Sequence, residues 1–94
     1  MRYIRQVHVD HPGTSNQHIS AIRYSLTITG ITVRQTREQA VADIDRRVDL
    51  YRSHNDATWA EAPVVTATSG AGTRYLRTVQ NGTETDNLLQ LPRF

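Results

Sequence analysis

The sequence predicts an α+β fold: a small antiparallel sheet in the order β-β-α-β-β, one amphipathic helix packed on one face, and a C-terminal Leu-rich tail. Three observations carry this. Residues 2–10 and 18–29 alternate in polarity at period two. Val41, Ile44, Val48 and Tyr51 recur at helical spacing behind a capping signal. Two β-branched runs, VVTATS and TRYLRTV, flank a GAG turn. With 94 residues the chain forms one domain, residues 1–94. A chain of this size buries only about 60–65% of the surface its unfolded form exposes.

The first strand is RYIRQVHVD. Period two puts Tyr3, Arg5 and Val7 on one face, with Ile4 the only apolar residue opposite. HPGTSNQ is a polar loop, and the second strand spans 18–29, with Ile22, Tyr24, Leu26 and Ile28 inward. Gly30 breaks it, and ITVRQ is a short extended segment. Thr36 and Gln39 form a capping box, so the helix starts at 37; it should run to about 51, where SHND stops it. VVTATS and TRYLRTV are the third and fourth strands, NGTETD is a turn, and Leu88, Leu89 and Leu91 lay the tail over the core.

One pattern repeats. YIRQV (3–7) and YLRTV (75–79) share the order Tyr, aliphatic, Arg, polar, Val. The flanking sequences diverge, so a duplication is not the explanation. The two strands should lie in one sheet, as neighbours or one strand apart, with Arg5 and Arg77 half-exposed. Each Arg would seek a carboxylate, with Asp86 a partner for Arg77.

YIR, HISAIRY and YLRT…NGTETDNLLQLP resemble a small bacterial and phage family, catalogued as domain of unknown function 3892. The resemblance spans both ends of the chain. It implies a fold unit and no mechanism, and it makes the DNLLQLP tail a structural lock.

Composition narrows the function. There is no Cys, which excludes disulfides, zinc ribbons and thiol nucleophiles. No apolar run reaches membrane-span length, and MRYIRQVHVDH lacks a signal-peptide core, so the cytoplasm is the expected location. All eleven basic residues are Arg, as in a GC-rich genome such as an actinobacterium or its phage. The net charge of +2 is too small for a polybasic nucleic-acid arm.

No catalytic, cofactor or metal site is expected. His8, His11 and His18 straddle a loop rather than forming a ligand set, and His54 is a residue that follows the helix. Ser69–Gly72 precedes a strand, so it is a hairpin turn and not a phosphate loop. Asp43, Asp45 and Asp49 read as a solvated helix side.

The function expected is a small non-enzymatic protein-interaction module. Its partner is an unidentified protein, a host protein if the source is a phage. Trp59, Arg46, Arg47 and Arg52 are the candidate contacts, since Trp and Arg dominate binding hot spots. The alternative is a nucleic-acid binder that uses a sheet face with Arg23, Arg74, Tyr75 and Tyr3. A membrane partner is not expected, and a homodimer stays open.

Overall fold

A computed structural model describes residues 1–80, 83–85 and 87–94, the side chains of Thr83 and Glu84 excepted. The strands are β1 (Arg2–Val9), β2 (Ile19–Ser25), β3 (Val33–Thr36), β4 (Tyr51–His54), β5 (Glu61–Thr68), β6 (Arg74–Gln80) and β7 (Thr83–Thr85). One helix, α1 (Arg37–Asp45), stands between β3 and β4. The seven strands form one sheet in the order β3-β2-β1-β4-β5-β6-β7. The fold is α+β, but the sheet is mixed: β1 and β4 are parallel, and every other neighbouring pair is antiparallel. A parallel pair needs a crossover, and α1 supplies it by carrying the chain from the β3 edge back to the centre.

The predicted helix is too long. Thr36 caps it as expected: its Oγ1 accepts from Gln39 N–H at 3.2 Å, and Gln39 Oε1 accepts from Thr36 N–H at 3.1 Å. It stops at Asp45 because Arg47 enters the left-handed region at φ 57°. Arg47 N–H then donates to Ile44 O (3.1 Å) and Val48 N–H to Asp43 O (2.9 Å), the paired bonds of a Schellman stop. Tyr51 therefore belongs to a strand, and SHND lies within β4 and its following turn rather than at a helix end.

Two more expectations fail for local reasons. The second strand ends at Ser25, whose hydroxyl donates to Thr27 O at 2.5 Å and closes a turn, so Leu26 is exposed. In β1, the register steps from Ile4↔Tyr24 to Gln6↔Arg23, leaving Arg5 as the extra residue of a β-bulge. Ile4 and Val7, three apart, consequently share the core side, and both are fully buried. Tyr3, Arg5 and Val7 do not share a face.

The core gathers Ile4, Val7, Ile22, Tyr51, Val64 and Leu76 from the sheet, Ala40 and Val41 from α1, and Leu88 and Leu91 from the tail. Helix and tail thus cover the same sheet face. The tail also joins the sheet: Val7 N–H donates to Pro92 O (3.0 Å), Phe94 N–H donates to Val7 O (3.2 Å), and Arg93 bridges Val7 in parallel. It fills the place beside β1 beyond the end of β4.

The pentad strands β1 and β6 lie in one sheet but are separated by both β4 and β5, not by one strand. Arg5 is partly buried and its carboxylate is Asp56. Arg77 is partly buried on β6, while the Asp86 proposed for it lies outside the described residues.

Candidate functional site

Alternation and register place Tyr3, Arg52, His54, Glu61, Pro63 and Val65 on the sheet face away from α1. His54 is almost fully buried there. Its Nδ1 lies 2.7 Å from Glu61 Oε2, and its ring meets Tyr3 and Trp59 edge to face at 6.3 and 5.6 Å. Trp59 sits on the turn joining β4 to β5. Asn55 organises that turn: its Oδ1 accepts from Ala57 and Thr58 N–H at 2.9 and 3.2 Å, and its carbonyl accepts from Trp59 N–H at 2.7 Å. Trp59 has φ 63° and remains 67% exposed. A bulky residue in the left-handed region is costly, and the turn bonds hold it there.

Arg52, the other candidate on this face, places Nε 3.3 Å from Glu61. It also lines an apolar cavity of about 270 Å³ with Met1, Ile44, Leu50, Pro63 and Val65, floored by Tyr51 and Val64. Arg46 and Arg47 are exposed on the turn between Ile44 and Leu50. Val48 and Leu50, on the same connection, are 66% and 65% exposed. Of the four sequence candidates Arg52 lines this cavity, Arg46 lines a separate groove with Arg37, Val41 and Arg74, Arg47 lies on the connection between them, and Trp59 stands at the far end of β4. Met1, Val48 and Leu50 were missed because each has an ordinary reading as a terminus, a helix position or a connection.

The alternative set of Arg23, Arg74, Tyr75 and Tyr3 is not brought together. Arg74 lies on the helix face, its Nη2 2.7 Å from both Asp45 carboxylate oxygens. Tyr75 is buried and has no ring face to offer a base. Arg23 stacks over Phe94 at 4.3 Å and donates to Gln6 at 3.2 Å.

The carboxylates also differ from their expected role. Asp43 accepts from Arg2 (3.0 Å), Gln35 (3.0 Å) and the Tyr51 hydroxyl (2.9 Å). Arg2 stacks over Tyr24 at 4.6 Å, and its Nε lies 2.9 Å from Asp49 in an ionic contact without hydrogen-bond alignment. Burial, with the Asp43 hydrogen bond, pushes the Tyr51 phenol up to about 12. Arg5 grips Asp56 through Nε (3.0 Å) and Nη2 (2.5 Å), and donates to Gly30 O at 2.6 Å. The Asp43 cluster ties β3, α1, β1 and β4 together, so Asp43 is a structural anchor rather than part of a solvated side.

Among the described residues, no group of three His, Asp or Glu is placed to hold a metal ion. No helix of the described residues is long and apolar enough to cross a membrane. Residues 3–92 match the model of a family described as "Protein of unknown function (DUF3892)". No curated protein and no solved structure matches the chain.

Proposed function

The chain belongs to the family described as protein of unknown function (DUF3892), and from its surface we propose that it is a small non-enzymatic protein-interaction module. Its binding surface runs from Trp59 across Arg52 to the apolar cavity beside Leu50. The observation that carries this is the exposure of Trp59, Val48 and Leu50 on a domain with a well-filled core. Large exposed apolar groups near Arg are what binding hot spots are made of. The left-handed backbone at Trp59 adds to it, since strain of this kind clusters at functional positions.

The nucleic-acid reading is weaker. Arg2, Arg5, Arg37, Arg52 and Arg74 each sit within ion-pair distance of a carboxylate. Their charge is largely spent inside the protein, leaving less for phosphates. The test is capture of partners from host lysate by the wild type, Trp59→Ala and Leu50→Asp, with and without nuclease. A protein retained by the wild type after nuclease and lost by the variants supports the reading. Retention that vanishes with nuclease overturns it.

A further inference from the structure

We propose that the partner enters as an extended strand: a peptide segment with alternating apolar residues and an acidic flank, added to the edge of β5. The inference rests on the interaction reading above and names how that surface binds. β4 pairs with β5 only through His54↔Glu61, Ser53↔Ala62 and Arg52↔Pro63. From Val64 to Thr68, β5 pairs with β6 on its other side. Among the described residues no strand pairs with 64–68 on the β4 side: the ladder ends at Arg52↔Pro63, Tyr51 stands opposite Val64 without pairing to it, and the chain before Tyr51 veers to α1. The cavity of about 270 Å³ lies in this fork, between Leu50 and Arg52 on one side and Val64 and Val65 on the other.

A strand edge beside an apolar pocket has the two parts that strand addition uses. Backbone groups on alternate residues provide affinity, and a pocket takes alternate side chains. An added strand would pair with the 64–68 edge and place one aliphatic side chain in the cavity. Charge selects the flank. Arg47 stands exposed on the turn between two lining residues, Ile44 and Leu50, and Arg46 before it faces the neighbouring groove beside α1, so an acidic flank is attracted to this end of the fork. A second copy of this chain is disfavoured as occupant. A twofold contact would set Arg47 against its own copy.

The probe is a displayed library of random peptides of about ten residues, followed by amide hydrogen exchange on the full chain. Enriched peptides should alternate apolar residues and carry Asp or Glu. Their binding should slow exchange of alternate amides within Val64–Thr68 that exchange quickly in the unbound protein. Leu50→Asp and Arg47→Glu should each weaken binding by about tenfold or more. Peptides that bind without slowing those amides overturn strand addition and leave the interaction reading intact. Slow exchange of all five amides before peptide is added also overturns it. If that protection grows with protein concentration, the occupant is a second copy. Failure to enrich any peptide, while folded proteins are still captured, sinks the strand and keeps the module. Absence of both kinds of partner sinks both.

Discussion

Arg47 carries a backbone conformation that glycine adopts without penalty and an L side chain does not. Because the residue is exposed and only its backbone joins the helix stop, Arg47→Gly should relieve strain without opening a cavity. A gain of about 1 kcal/mol is expected, read as a higher urea midpoint at unchanged slope. A loss would mean that the side chain supports the turn. The carboxylates set the response to acid. Hydrogen bonds from Arg5 hold Asp56 below its ordinary value against burial. Those from Arg74 and Thr66 do the same for Asp45. With folded values depressed, the unfolded chain takes up protons first. The stabilisation is therefore present above about pH 4 and is lost as pH falls through the folded values. Wild-type urea midpoints should drop below about pH 4, and the Asp45→Asn, Asp56→Asn double variant should show a flatter profile. At the other extreme Tyr51, with its raised value, gives stability that is full below about pH 10 and fades as pH rises through about 12. At this scale the capping pair Thr36 and Gln39 was legible because both partners are local in sequence. Arg5 was misread because a bulge is set by the pairing strand, which period-two counting does not contain.

Among the elements, the tail has the largest consequence. Leu88 and Leu91 are buried in the same cluster as Val41 and Leu76. Leu88→Ala should cost about 2–5 kcal/mol, against a total stability of about 5–15 kcal/mol for a domain of this kind. Cutting the chain after Thr85 removes both Leu residues and the Pro92–Phe94 pairing with Val7 at once. The product should be unfolded or aggregated by circular dichroism and light scattering. A truncated protein with an unchanged melting curve would contradict the lock. The β1–β2 hairpin, the β5–β6 hairpin and the tail's burial could be read from apolar alternation and turn residues. β4 could not. Its four residues continue the helical spacing of Val41, Ile44 and Val48 through Tyr51, and only the left-handed turn at Arg47 breaks that run. The fork beside β5, which holds the candidate site, was hidden with it.

For the whole molecule, the charge balance bears on whether nucleic acid is bound. The sequence carries eleven Arg against nine carboxylates, and the fold spends several of each on one another. Binding to DNA or RNA should therefore be weak at physiological salt, with a shallow dependence of log K on log salt. Fluorescence anisotropy with a labelled duplex and a labelled single strand checks this. A submicromolar complex there would favour the nucleic-acid reading over the protein one.

The bridge between Val7 and the tail has a kinetic side as well. His8 Nδ1 meets the Phe94 carbonyl across 86 positions of sequence. Such contacts form only after a long loop has closed, and chains rich in them fold slowly, in milliseconds to seconds. β1 lies inside the sheet, yet its second neighbour on this side comes from residues 92–94, synthesised long after it. During synthesis the β1–β2–β3 hairpin unit can form while Ile4 and Val7 still lack their cover from Leu88 and Leu91. The nascent chain therefore passes through a stage with an uncovered apolar face, prone to aggregation until residues 88–91 are made.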